Sequence, residues 1–258
     1  MKHASWKYAG GALALLIPLG GCDFFAKPKQ PPSETPATAE SQPLDLKTLE
    51  GHVVALGAGP AWRLDADPQA GVVLSLLDQG LDFSGDYGAP SLTPDGGAQL
   101  TGGEVTLTLT PESCLQDGAT YPMRASVQLQ QGAPLSGCAF VRWDRRLTEL
   151  LPAIDSCLSL VTVEDVIRVS YAAQEPGGMV LVRLNGGGEA HDCRAPLDPE
   201  AGPAIITPGD PNLKIGGDGD ALFVRAPGEN PGGECYEAPE VRAADGSLIG
   251  WLDDPQGC

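Results

Sequence analysis

The chain is poor in basic side chains. Its 16 lysine and arginine residues stand against 34 aspartate and glutamate residues, so the formal net charge is −18 at pH 7. Nucleic acids and anionic lipid head groups carry negative phosphates, and this charge therefore argues against both as binding partners. A cationic protein partner is the direction that the charge permits, and a solvated acidic surface is the alternative explanation.

Aromatic residues and long apolar runs are also scarce. Phe, Trp and Tyr make up 5% of the chain, whereas there are 34 glycines and 24 prolines. This composition indicates a loop-rich protein with many turns and disfavours a helical bundle. The apolar segment at residues 9–21 is about 13 residues long and contains Pro18. A membrane-spanning helix needs about 20 apolar residues, so an uncleaved membrane helix is disfavoured.

The sequence lacks the common catalytic motifs. It contains no Gly-x-Ser-x-Gly, no His-Glu-x-x-His, no phosphate-binding loop and no Cys-x-x-Cys. After removal of the predicted leader described below, His52 and His191 are the remaining histidines. We therefore predict no catalytic residue, no metal site and no cofactor, and expect a protein that is not an enzyme. Hydrolysis by a pair of carboxylates stays as an alternative.

Three polar clusters have residue types that chemistry uses. His191–Asp192–Cys193 could form a catalytic group, residues 216–220 resemble a single calcium-binding repeat, and Asp65 with Asp67 could begin a calcium loop. A disulfide at Cys193 would explain the first cluster without catalysis. Calcium repeats of the second kind work in stacked arrays, so a lone copy predicts a turn. Asp65 and Asp67 lack the later ligands of a calcium loop.

The first 22 residues have the order of an export signal. Lys2 and Lys7 precede an apolar run at residues 12–17, and small residues lead directly to Cys22. This order is typical of a secretory signal peptide. The Leu-Gly-Gly-Cys ending resembles the lipobox of bacterial lipoproteins. That resemblance implies removal of residues 1–21, acylation of Cys22, including a palmitate-type chain, and anchoring in a membrane of the cell envelope, facing the periplasm.

Asp23 bears on the choice of membrane. In enteric bacteria an aspartate directly after the acylated cysteine resembles a signal for retention in the inner membrane, whereas other bacteria sort differently. Inner and outer membrane therefore both stay open. Residues 22–43 contain five prolines among polar side chains, and we predict a disordered tether there because such a segment cannot bury enough apolar surface to fold.

Six cysteines remain after Cys22, and their even number in an exported chain indicates a disulfide framework. Fifteen pairings are possible. Each bridge typically stabilises a small domain by about 2–4 kcal/mol. Pairing between sequence neighbours favours Cys114–Cys138, Cys157–Cys193 and Cys235–Cys258.

Residues 44–142 are predicted to form a small all-β domain, either a barrel or a sandwich. Residues 105–110 alternate apolar and polar side chains with period two, as a half-buried strand does. Strands are also predicted at residues 71–77, 121–130 and 135–140, with glycine-rich breaks between them. No helical period occurs in this region.

Residues 143–258 are predicted to form an α+β domain with one main helix. The helix carries its apolar residues on one face, with Asp144 as N-cap and with Pro152 marking a kink or the helix start. Strands follow at residues 166–171, 179–184, 204–207 and 221–226, and a final hairpin turns at Asp245–Gly246. The helical face consists of Leu147, Leu150, Leu151, Ile154 and Leu158.

Two further patterns leave alternatives open. Val127-x-Leu129 before Cys138 is echoed by Val182-x-Leu184 before Cys193, which would fit a duplication of one hairpin or a chance match. The tryptophans at positions 62, 143 and 251 would serve as exposed binding anchors or as core residues. We favour the core, because a small domain with few aromatic residues needs them there.

Several motifs resemble a family of uncharacterised Gram-negative envelope lipoproteins. Residues 57–62 are similar to its Gly-x-x-Pro-x-Trp motif, although Ala61 stands where the family usually has an aromatic residue. Cys114, Asp117–Gly118, Tyr121–Pro122 and residues 137–139 resemble its Cys…Asp-Gly…Tyr-Pro…Gly-Cys-Ala pattern. The resemblance covers roughly residues 51–140 and implies a small β-barrel-like domain.

A more distant likeness is to the membrane-bound inhibitors of c-type lysozyme, which are small lipoprotein β-barrels. Those proteins carry Ser-Gly-x-x-Tyr and Thr-Lys-Gly segments. This chain has Ser84–Gly85–Asp86–Tyr87, one residue shorter, and no Thr-Lys-Gly. We predict an envelope lipoprotein that acts as a non-catalytic ligand- or protein-binding module. A structural or assembly component of the envelope, or a lysozyme-inhibitor-like protein, is the alternative.

The lipid anchor gives the first test. Replacing Cys22 with serine removes the sulfur that accepts the diacylglycerol, so the variant should not incorporate radiolabelled palmitate in a bacterial host, while the wild-type chain should. Labelling is measured on the immunoprecipitated protein, with Cys258→Ser as a control that keeps the lipobox. Equal labelling of Cys22→Ser and wild type would contradict the lipoprotein assignment.

Overall fold

A computed structural model describes residues 43–161, 166–175, 177–210, 212–227, 230–232 and 236–253. Half of these residues are in strands and 12% are in helices. The predicted mainly β fold with one main helix is therefore confirmed. The described residues belong to one compact unit, and the domain boundary at residue 142 stays a prediction. Cys22, Cys235 and Cys258 lie outside the described residues.

The first sheet contains nine antiparallel strands and curls into a half-barrel. The strands are β1 (Val53–Ala58), β2 (Ala61–Asp67), β3 (Gly71–Leu76), β4 (Leu81–Gly85), β5 (Ser91–Leu92), β6 (Ala98–Gly102), β7 (Val105–Thr110), β10 (Met123–Leu129) and β11 (Leu135–Val141). Their spatial order is β4-β3-β2-β1-β11-β10-β7-β6-β5. The predicted alternation in β7 is confirmed, because its valine and leucines are buried while its threonines lie outside.

A one-turn helix covers one end of the half-barrel. This helix, α1 (Leu46–Leu49), begins at Asp45, whose side chain accepts a hydrogen bond from the backbone of Lys47. Leu49 is buried in the half-barrel core, and its carbonyl accepts a hydrogen bond from the Tyr87 hydroxyl at 2.7 Å. Four residues are too few to show a helical period, and the sequence therefore predicted no helix here.

The Gly-x-x-Pro-x-Trp motif has a packing role. The Trp62 side chain is 1% exposed and lies in the half-barrel core. Its indole covers Gly57 on β1 and Gly137 on β11, where an added methyl group would overlap the ring. Two of the family motifs therefore meet at one contact, in which glycine makes room for the tryptophan.

The second sheet contains seven antiparallel strands. They are β12 (Arg168–Gln174), β13 (Met179–Gly186), β14 (Glu189–Pro196), β15 (Ile205–Pro208), β17 (Leu222–Arg225), β18 (Glu240–Arg242) and β19 (Leu248–Asp253). Their order is β15-β14-β13-β12-β17-β19-β18. The predicted final hairpin is confirmed as β18 paired with β19. The sequence predicted β13 but did not predict β14. The structure therefore adds one strand to this part of the sheet.

The main helix is α2 (Leu147–Leu158), and it packs on the second sheet. A short 3₁₀ helix (Trp143–Arg146) precedes it, and Asp144 is not its N-cap, because the carboxylate binds Arg142 at 2.9 Å instead. The helix also does not begin at Pro152 but continues through it. Proline removes one backbone hydrogen bond, and burial of the apolar face compensates for that loss. The helix residues buried there are Leu147, Leu150, Ala153, Ile154 and Cys157.

Two of the three predicted disulfides form in the structure. Cys114–Cys138 joins strand β8 (Cys114–Gln116) to β11, with 5.5 Å between the Cα atoms. Cys157–Cys193 joins α2 to β14, with 5.8 Å between the Cα atoms. Both distances are normal for a disulfide. The third predicted pair lies outside the described residues.

A strap, defined as residues 214–220, connects the two sheets. It begins with strand β16 (Lys214–Ile215), which pairs in parallel with β9 (Ala119–Tyr121) next to β8. The strap then turns, and the Gly219 N–H donates to the Ser170 carbonyl of the second sheet at 3.0 Å. The predicted turn at residues 216–220 is confirmed. The strap links the small three-stranded sheet of β8, β9 and β16 to the second sheet.

Two glycines let the strap lie against aromatic rings. Tyr121 lies on β9 and Phe140 on β11, and their ring centroids are 6.0 Å apart. A methyl group on Gly216 would overlap the Tyr121 ring, and one on Gly217 would meet the Phe140 ring. Gly217 also has φ +86°, a conformation that other residues rarely adopt.

The tryptophan prediction is confirmed for three positions. The exposed fractions of Trp62, Trp143 and Trp251 are 1%, 4% and 7%. These side chains are core residues and present no exposed anchor to a partner. In the part of the chain that the structure describes, no helix has both the length and the apolar character needed to cross a bilayer.

The strap contact predicts a large effect of a small substitution. Gly216→Ala should destabilise the protein by about 1–3 kcal/mol, because the new methyl group overlaps the Tyr121 ring. Gly202→Ala is the control, since an added Cβ there meets no atom within 4 Å, and it should change stability by less than about 0.5 kcal/mol. Urea unfolding followed by tryptophan fluorescence measures both. Equal stability of the two variants would contradict the described strap contact.

Candidate functional site

A cleft of about 620 Å³ lies between the two sheets. It is formed where β1 begins and β2 ends, beside the 3₁₀ helix and the end of β19. We call it the inter-sheet cleft. Its walls are mostly polar and charged, and they come from distant parts of the chain. The lining residues used below are Glu50, His52, Asp67, Gln69, Arg142, Asp144, Arg145 and Asp253.

His52 is held between two aspartates of β2. Its Nε2 donates to Asp65 Oδ1 at 3.0 Å, and its Nδ1 lies 3.7 Å from Asp67 Oδ2. That Nδ1 atom is buried and has no hydrogen-bond partner. The two aspartates point to the same side of the sheet because they are two residues apart on one strand. The sequence predicted no calcium loop at Asp65 and Asp67. In the structure, both carboxylates contact a histidine and an arginine side chain.

Asp65 binds a second cation from the same strand. Arg63 Nε donates to Asp65 Oδ2 at 2.7 Å. Burial raises the pKa of Asp65, but the hydrogen bonds from His52 and Arg63 outweigh burial and lower that pKa to about 2. The Asp65 carboxylate is therefore ionised at neutral pH and joins β1 to β2.

The segment after β11 supplies two arginines to the inter-sheet cleft. Arg145 Nη2 donates to Asp67 Oδ2 at 3.1 Å, and Arg142 contacts both oxygens of Asp144, at 2.9 and 3.1 Å. The Asp144 side chain is 4% exposed. The Arg145–Asp67 pair connects the 3₁₀ helix to β2, whereas the Arg142–Asp144 pair lies within the segment itself.

Asp220 places the strap in the same electrostatic environment. The pKa of Asp220 is raised overall, and burial is the largest cause. The charges of Arg142 and Arg63 lower this pKa, whereas those of Asp144 and Asp65 raise it. Asp220 also lines a second cavity of about 470 Å³, together with Tyr121 and Arg183. Asp220 therefore interacts electrostatically with charged residues of β2 and of the segment after β11.

Two acidic residues of the inter-sheet cleft are held in place by ion pairs within the protein. The described lining of the inter-sheet cleft contains no serine, threonine or cysteine. Asp67 and Asp144 are each engaged by an arginine. Among the described residues no group of three or more His, Cys, Asp or Glu side chains is arranged to hold a metal ion. Fixed charges in a preformed cleft are suited to orienting a polar ligand.

The cluster at residues 191–193 and the lysozyme-inhibitor-like segment at residues 84–87 do not line the inter-sheet cleft. Cys193 is bridged to Cys157, and Asp192 accepts two hydrogen bonds from the buried Arg183, at 2.8 and 3.0 Å. This cluster therefore has a structural role. Tyr87, the tyrosine of the lysozyme-inhibitor-like segment, is half-buried and bonded to Leu49. Its hydroxyl is used in a hydrogen bond within this protein.

The sequence did not predict the inter-sheet cleft. One signal was available in β2, where Arg63, Asp65 and Asp67 alternate with buried residues. Three charged side chains at period two predict a charged strand face. The arrival of Arg145 at that face depends on the tertiary fold and has no local signal.

Comparisons with protein-family models, with curated proteins and with solved structures find no match for this chain. The likeness to envelope lipoproteins therefore rests on the motifs themselves. Gly57, Trp62 and Gly137 pack together, Cys114 and Cys138 form a disulfide, and these contacts account for the motifs within one small β structure.

The pairing of Asp65 predicts a defined dependence on pH. Its pKa of about 2 lies below the ordinary 3.8. Asp65 therefore stabilises the fold above about pH 4, and this contribution is lost as the pH falls toward 2. Because the side chain is partly exposed, Asp65→Asn should cost about 1 kcal/mol at pH 7 and should reduce the loss of stability between pH 4 and 2.

Urea midpoints at pH 7, 4 and 2.5 measure this profile. Asp82→Asn serves as the control, because Asp82 is exposed and forms no ion pair among the described residues. Parallel acid profiles for Asp65→Asn and wild type would show that the His52 and Arg63 contacts do not stabilise the folded state.

Proposed function

We propose that this protein is a lipid-anchored lipoprotein of a bacterial cell envelope, whose body is a non-catalytic ligand- or protein-binding module facing the periplasm. The leader and Cys22 support the anchor. The two disulfides support an oxidising compartment, because such bridges rarely persist in a reducing cytosol.

The inter-sheet cleft carries the binding part of the proposal. Its walls are held from both sides, by the Arg145–Asp67 pair and by the strap between the sheets. A site held by ion pairs and hydrogen bonds is preformed, so a ligand loses little free energy to ordering the protein. The volume of about 620 Å³ is within the usual range for ligand sites.

The surface favours a binding module over a structural component. A component built into a larger assembly is expected to expose a broad apolar face. The large apolar side chains that are more than half exposed in the described residues lie on separate elements. They are Leu77 after β3, Leu92 on β5, Leu115 on β8 and Ile205 on β15.

A photo-crosslinking amino acid at Gln69 tests the proposal. Gln69 is an exposed residue of the inter-sheet cleft, so in the native envelope a discrete adduct should form there when the full lipidated chain is irradiated. Ser91 on β5 is exposed and outside the cleft, and the same probe at this position should give no such adduct. Mass spectrometry identifies the adduct.

Equal adduct patterns at Gln69 and Ser91 would exclude the inter-sheet cleft as the binding site. A covalent intermediate or product formed from the captured molecule would instead support a cryptic hydrolase.

A further inference from the structure

We propose that the inter-sheet cleft binds a cationic group of its ligand, an ammonium or guanidinium group, through the carboxylates of Glu50 and Asp253. This inference rests on the proposed function and specifies the chemistry of the same site. It follows from which charges in the cleft already have a partner inside the protein and which do not.

The arginines of this protein are already neutralised internally. Within the described residues, each arginine except Arg168 forms an ion pair with an aspartate or glutamate. The acidic residues outnumber all basic residues by about two to one. Most of the remaining acidic side chains must therefore find their counter-charges in solvent or in a partner.

Acidic side chains also outnumber arginines in the inter-sheet cleft. Arg142 is paired with Asp144 and Arg145 with Asp67. Glu50 and Asp253 line the cleft too, and neither has an ion-pair partner in the part of the chain that the structure describes. Apart from His52, the lining therefore carries four carboxylates and two guanidinium groups.

Asp253 is the stronger of the two ligand groups. The residue is 9% exposed, and its carboxylate accepts a hydrogen bond from the Tyr236 hydroxyl. A hydroxyl orients a carboxylate but does not neutralise it. Buried carboxylates are normally paired with a cation, because removal from water disfavours the isolated charge.

Glu50 lies exposed near the mouth of the cleft, next to α1. The pKa of Tyr87 is raised by burial and by the charges of Glu50 and Asp67. The Glu50 charge therefore acts on a neighbouring group. A cation drawn by the overall charge of −18 would meet Glu50 before it reached Asp253.

A charged peptide pair tests the inference. The probe is a fluorescent peptide of alternating lysine and glycine, and the matched control peptide alternates glutamate and glycine. Binding to the full lipidated chain in non-ionic detergent is measured by fluorescence anisotropy at two salt concentrations. The lysine peptide should bind, the glutamate peptide should not, and the affinity should fall as salt rises.

Matched variants separate the cleft from the general acidic surface. The double variant Glu50→Gln with Asp253→Asn should bind the lysine peptide about tenfold more weakly. Asp82→Asn with Glu104→Gln removes the same charge at two exposed positions outside the cleft and should weaken binding less than about twofold. Glu50→Gln alone should lower the affinity about threefold, and it leaves the buried Asp253 intact in case Asp253→Asn unfolds the protein.

Three results would overturn the inference. These are equal weakening by both double variants, no loss of affinity in Glu50→Gln, and glutamate-peptide binding as strong as that of the lysine peptide. If crosslinking at Gln69 still captures a molecule in those cases, the binding module stands and only the cationic chemistry is wrong. If Gln69 and Ser91 give equal adducts, the proposed function itself fails.

Discussion

The contact of the strap with two aromatic rings is the constraint on which the two-sheet arrangement depends. Gly216 and Gly217 allow backbone to lie directly on Tyr121 and Phe140, and one residue later Asp218 accepts a hydrogen bond from Arg183 at 2.9 Å. Arg183 is 5% exposed and also binds Asp192. Loss of one partner from such a buried pair typically costs about 3–5 kcal/mol, so the strap is strongly held on the second sheet.

The inter-sheet cleft follows from that constraint. Its floor is a charged face of β2, its side is the 3₁₀ helix after β11, and its far wall is the end of β19. Ion pairs from Arg142 and Arg145 keep the near side in place, while the strap fixes the far side through Gly219 and Asp218. Disulfides brace each sheet separately, because each joins elements on its own side of the strap. Walls held in this way fit the proposed binding role of the cleft.

Much of the fold could be predicted because its signals are local. The alternation in β7, the Asp-Gly turn of the last hairpin and the apolar face of α2 each lie within a dozen residues. The pairing of cysteines close in sequence was also confirmed for both pairs that the structure describes. The predicted helix cap failed because Asp144 accepts hydrogen bonds from Arg142, two residues before it, and helix α2 begins later. Burial of its apolar face, rather than a cap, stabilises that helix.

The sequence alone determined that this protein is acidic and mainly β, that its four described cysteines pair with near neighbours, and that Cys22 stands in a lipobox-like segment. These properties depend on composition and short-range periodicity, which can be determined without knowing the fold. Only the tertiary structure decided which charges meet. His52 reaches Asp65, Arg145 reaches Asp67 from 78 residues away, and Asp220 approaches both sheets on the strap. A contact between residues so far apart depends on how the sheets pack, and no local pattern records it.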